Sequence, residues 1–128
     1  MPKRPRDLAR VLLGRAELDL RSAKLLLEGD DLVDPVCFHI QQAAEKLLKA
    51  LLSSAGITPR FTHDLGELLA LAQVQCPALT EFSETLPFYT DFAVAARYDE
   101  VVLLSRREAL EALKTVERLH VAVLATFL

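Results

Sequence analysis

The chain reads as an all-α protein, an up-and-down four-helix bundle with one additional short helix. Three observations predict this. Apolar residues recur at helical rather than alternating spacing through several long stretches. Hydrophobic residues make up 52% of the 128 positions while only four are glycine, a balance that favours a compact helical protein over a disordered or β-rich one. The six prolines act as punctuation between the periodic stretches. The length suits one domain over residues 1–128, enough for a single core and too short for two.

The first helix is expected from about Arg6 to Glu28, stopped by Gly29, with Leu8, Leu12, Ala16, Leu20, Ala23 and Leu27 on one stripe. A second stripe, Val11, Leu18 and Leu25, repeats every seven residues and predicts contact with another helix, within the bundle or across a dimer. Asp34-Pro35 has the form of an N-cap acid followed by a proline with preset φ, so it should open the second helix, which ends at Gly56. Asp64 with Glu67 three residues on is a capping-box variant for a short helix, Leu65 to about Gln75, stopped by Pro77. A further helix is expected from Ala78 to Ala96, kinked or broken at Pro87, which lacks a backbone donor. Ser105 and Glu108 form a full capping box for the last helix, which runs to the C-terminus.

A formal charge of −3 gives no global basic footprint of the kind expected in a dedicated duplex-DNA binder, so any nucleic acid would be met by a local patch. Lys3, Arg4, Arg6 and Arg10 form a basic cluster whose plain reading is a solvated tail. Cys37 and Cys76 have no metal-binding spacing and read as small hydrophobic residues, and neither a metal nor a cofactor is expected. No apolar run reaches the ~20 residues of a membrane span, and charges interrupt the N-terminal apolar residues before a signal core can form. A cytoplasmic protein with no membrane partner is expected.

The stretch Cys37 to Leu52, CFHIQQAAEKLLKALL, carries the most information. At 100° per residue, Val36, Cys37, Ile40, Ala43, Ala44, Leu47, Leu48 and Leu51 share a core face, while His39, Gln42, Lys46 and Lys49 share the opposite one. Two ammonium groups, an imidazole and an amide on one face suit an anion or nucleotide, whereas the plain alternative is a solvated face with a Glu45 to Lys49 pair. Phe38 falls among these polar residues, where a purely solvated face has no use for it.

Asp19 interrupts the apolar stripe of the first helix, and a buried carboxylate requires a partner. Arg15, one turn earlier, is the favoured one over Arg97 or a lysine of the polar face. His63-Asp64 is a secondary candidate site, with Asp64 as a simple helix cap the favoured plain reading. His120 lies among Leu113, Val116, Leu124 and Phe127 and reads as a hydrogen-bonded core histidine.

Phe38-His39, Gln41-Gln42-Ala43-Ala44-Glu45-Lys46 and Lys49-Ala50, followed by His63-Asp64-Leu65 and Arg97-Tyr98, resemble the HEPN family, named from higher eukaryotes and prokaryotes nucleotide-binding. The resemblance spans nearly the whole chain. It implies a domain that binds nucleotide or RNA, dimerises, and in prokaryotes is often paired with a small nucleotidyltransferase, as in toxin-antitoxin pairs. It also places Arg97, Tyr98, His39, Gln42, Lys46 and Lys49 at a phosphate or base, with His63, Asp64 and Asp19 as secondary candidates. In the family's metal-independent ribonucleases an arginine in this region begins an Rx4-6H element. Here positions 101–104 after Arg97 are Val, Val, Leu and Leu, and an aliphatic side chain cannot transfer a proton. The expectation is therefore a binding module with no catalytic residue. The two rivals are an RNA endonuclease of toxin type with a displaced histidine, His39 or His63, and a structural helical adaptor.

Overall fold

The computed structural model describes residues 4–29, 32–59, 61–93 and 104–127. Among them are four α-helices, α1 (Pro5–Leu26), α2 (Val33–Ser54), α3 (Leu65–Gln75) and α4 (Arg106–Phe127), with two 3-10 segments, Pro77–Phe82 and Leu86–Ala93, and no strand. The molecule is a helical bundle.

The most extensive contact is between α1 and α2. Alanines make it close: Ala9, Ala16 and Ala23 recur every seven residues along α1, and Ala43, Ala44 and Ala50 lie on α2, all fully buried. The helices run antiparallel, since the Ser53 hydroxyl donates to the Pro5 carbonyl at 2.9 Å while Asp19, farther along α1, meets His39 and Lys46. Against α4, Lys24 pairs with Glu117 and Glu17 with His120, so α4 also runs antiparallel to α1. Larger side chains, among them Ile40, Leu47, Leu51, Leu68, Phe82 and Leu119, fill the centre.

All eight residues expected on the core face of α2 are buried. That helix ends at Gly56 (φ 78°), with Gly56 N–H donating to Ser53 O at 3.0 Å and Ile57 N–H to Leu52 O at 2.9 Å. This is the Schellman pattern, in which a left-handed glycine lets the chain turn back onto the last carbonyls. Leu65–Gln75 has the expected bounds, and the Asp64 carboxylate accepts from the N–H groups of Gly66 and Glu67. At α4 the capping box is reciprocal: Ser105 N–H donates to Glu108 and Glu108 N–H to the Ser105 hydroxyl, both at 3.1 Å.

Three expectations need correction. Asp34 is not the N-cap of α2: Leu32 holds that place without a side-chain bond, and Asp34 lies in the first helical turn, where its charge still suits the helix dipole. Of the stripe expected on α1, Ala16, Leu20 and Ala23 are buried and Leu12 and Leu27 half-buried, but Leu8 is exposed and its neighbour Ala9 takes the buried place. The helix expected from Ala78 to Ala96 is, through Ala93, two 3-10 segments separated by a turn at 83–85. Both segments begin beside a proline, whose missing donor and steric demand favour short, tight turns over a continued α-helix. Residues 94–96 lie outside the described residues. Among those described, no helix is long and apolar enough to cross a membrane.

Candidate functional site

The polar face of α2 is a pair of ion networks, each built on one carboxylate. In the first, Asp19 of α1 accepts from Lys46 Nζ at 2.6 Å and from His39 Nδ1 at 2.9 Å. In the second, Glu45 accepts from His63 Nδ1 at 2.7 Å, from Gln41 Nε2 at 3.2 Å and from Lys49 Nζ at 3.2 Å. Gln42 Nε2 donates to Gln41 Oε1 at 2.6 Å and so extends the second network across the helix. An ionised carboxylate can only accept, so both imidazoles present Nδ1–H to their carboxylates.

Local sequence explains the placement. His39 and Lys46 are seven residues apart on the edge of α2 that faces α1, so both reach the same carboxylate. Glu45 and Lys49 are one helical turn apart, the spacing at which side chains meet. His63 arrives from the segment between α2 and α3, held in place by the Asp64 cap next to it.

The network cancels much of its own charge. Two lysines face two carboxylates, and each histidine adds a positive charge only when protonated. Burial by itself pushes the Glu45 carboxyl up, but the His63 hydrogen bond, the Lys49 charge and the Gln41 and Lys49 hydrogen bonds together hold it below the usual glutamate value. Glu45 is therefore a fixed anion that orients cations around it. The Cys37 thiol, on the opposite face, is pushed up from 9.0 to about 11 by burial and by the nearby Asp34 and Glu108 charges, which makes it a packing residue rather than a nucleophile.

The structure thus brings together His39, Gln42, Lys46 and Lys49, and draws in Asp19 and His63. The expected Arg15 partner of Asp19 is corrected: Arg15 is exposed, while the close packing of α1 on α2 places Lys46 and His39 directly opposite the carboxylate. Asp64 serves as the cap of α3. Arg97 and Tyr98 lie outside the described residues. His120 is not a core residue but half-buried on a groove of about 370 Å³ between α1 and α4, where it bonds Glu17 at 2.9 Å. Glu45 and Gln41 are the residues that sequence reasoning missed as site members. Their signal was position, since on a helical wheel both fall between the apolar and polar faces of α2, where a buried polar group needs partners.

A model of the HEPN domain matches residues 9–125 of the chain. No curated protein matches it. Among solved structures, the crystal structure of TT1696 from Thermus thermophilus is similar, with a TM-score of 0.75 and 30% identity, covering 90% of this chain and 94% of that one.

Proposed function

The chain belongs to the HEPN domain family, and from that membership, which supports a nucleotide- or RNA-related module, we propose that it binds a nucleotide or RNA through the polar face of α2 without acting on it chemically. The observation that carries the reading is that two carboxylates along the polar side of α2 each hold a lysine and a histidine, Asp19 with Lys46 and His39 and Glu45 with Lys49 and His63. The carboxylates hold the lysine and histidine side chains in fixed positions along α2. Gln42 supplies an amide beside them, and Arg97 and Tyr98 are assigned to the same ligand from the family resemblance alone. The absence of a histidine at positions 101–104 supports binding rather than cleavage.

The same reading includes a cytoplasmic homodimer that works with a small nucleotidyltransferase, as in toxin-antitoxin pairs. Calorimetric titration with nucleotides and short RNA tests the binding claim. Loss of a direct charge-assisted contact in Arg97→Ala should weaken affinity by about 10- to 150-fold, with a smaller loss in Lys49→Ala and weaker binding as salt rises. No binding at low salt, or binding indifferent to both Arg97→Ala and a combined Lys46→Ala, Lys49→Ala variant, removes the proposal.

One observation favours a second reading, an RNA endonuclease with a displaced histidine. His63 donates Nδ1–H to buried Glu45 while its side chain stays 71% exposed, the arrangement by which a carboxylate orients a general base. Metal-independent cleavage of unstructured RNA that is lost in His63→Ala would establish that reading in place of the first.

A further inference from the structure

Two exposed phenylalanines stand beside the ion networks, one at each. Phe61 is 99% exposed, and its ring lies edge-on to His63 with centroids 6.2 Å apart. Phe38 is 42% exposed, and its ring lies edge-on to His39 at 5.4 Å. Each aromatic therefore touches the histidine that a carboxylate holds, Phe38 beside the Asp19 network and Phe61 beside the Glu45 network. Along α2, Phe38 precedes Glu45 by seven residues, roughly 10 Å of helix axis, so the two rings mark different levels of one polar strip.

Phe61 has the wrong surroundings for a protein-docking patch. Such patches are contiguous and apolar, whereas the residues that follow it, Thr62, His63 and Asp64, are polar. A single flat ring next to cations has a different use. Sequence-tolerant binding of unpaired nucleic acid combines positive groups that follow the phosphates with aromatic rings on which bases stack.

We propose that Phe61, with Phe38 in a lesser part, stacks unpaired nucleobases while the Lys49 and His63 network and the Lys46 and His39 network meet successive phosphates, so that the ligand class is single-stranded RNA. The inference rests on the binding function proposed above and narrows it: phosphate alone is insufficient, and duplex RNA, whose bases are already stacked, is excluded. A free nucleotide shares the same chemistry, and a separate arm of the experiment distinguishes it.

The test uses the full chain and the anisotropy of a labelled single-stranded RNA, with unlabelled competitors. These are the same RNA, an abasic ribose-phosphate oligomer of equal length, the RNA duplex, a mononucleotide and tripolyphosphate. Phe61→Ala should weaken single-stranded RNA by about 5- to 150-fold, Phe61→Trp should retain it, and the weaker binding of abasic oligomer and tripolyphosphate should be indifferent to either variant. Because the side chain is exposed, both variants should keep the wild-type circular dichroism and melting temperature. A mononucleotide that competes as well per base, with the same sensitivity to Phe61→Ala, would overturn the assignment to RNA in favour of free nucleotide. Equal binding of abasic and intact oligomers, preference for duplex, or unchanged affinity in Phe61→Ala would overturn base stacking while leaving phosphate binding in place. Failure of every competitor and of the labelled RNA to bind wild-type protein at low salt would remove the underlying function as well.

Discussion

At the scale of single residues, Glu45 organises the site. Its side chain is only 8% exposed, and it accepts hydrogen bonds from His63, Gln41 and Lys49, so removing its charge leaves donors without their acceptor. His63 is largely exposed and its share is screened by solvent, so Glu45→Gln should destabilise the fold by about 1–2 kcal/mol at neutral pH, as measured by urea unfolding. The pH dependence follows from the lowered carboxyl pKa. Stability from Glu45 is fully present above its unfolded value of 4.5, and it is lost as pH falls through the lower folded value. Glu45→Gln should therefore show a shallower loss of stability on the acid side than the wild type; an identical acid limb would remove the carboxylate from this role. The Glu45 to Lys49 pair was readable from spacing alone. That His63 also reaches Glu45 was not, because residues eighteen apart meet only through the path of the chain between α2 and α3.

At the scale of elements, agreement between sequence and structure follows local chemistry. The bounds of α3 and the start of α4 rest on side chains that bond their own helix ends, which involves only neighbouring residues. Ser105→Ala removes one half of a reciprocal box and should cost about 1 kcal/mol in thermal or urea unfolding, whereas no change would show that the box is not used in solution. Where local signals compete, reading fails. Asp34-Pro35 has the form of a helix start, yet α2 begins at Val33. Between Pro77 and Ala93 the apolar spacing fits an α-helix, but proline chemistry and packing against α2 and α3 produce 3-10 turns. The Thr90 hydroxyl accepts from Leu65 N–H at 3.0 Å, tying this irregular segment to the start of α3, a contact that no periodicity reveals.

At the scale of the whole molecule, α2 buries the alanine seam against α1 and also carries the polar face, whose Lys46 and Lys49 side chains are half-buried, so one helix supplies core and candidate site together. On the outer side of α1, Leu18 is 58% exposed and Leu25 63%, seven residues apart among charged neighbours, while Val11, the third residue of the stripe read from the sequence, is half-buried. If that stripe covers a second copy, wild-type protein should sediment as a dimer at tens of micromolar and a Leu18→Asp, Leu25→Asp variant as a folded monomer. A wild type that is monomeric throughout would assign the stripe to another partner or to none.

The proposed contact of nucleotide or RNA with the α2 face has an internal control in the chain itself. His39 and His63 belong to the two ion networks, while His120 bonds Glu17 in the separate groove between α1 and α4. The most direct measurement is nitrogen-detected magnetic resonance of the three imidazole rings during titration with a short single-stranded RNA. The His39 and His63 ring signals should shift together and saturably while His120 stays in place. A saturable shift confined to His120, or saturated binding that moves none of the three, would contradict the proposed contact.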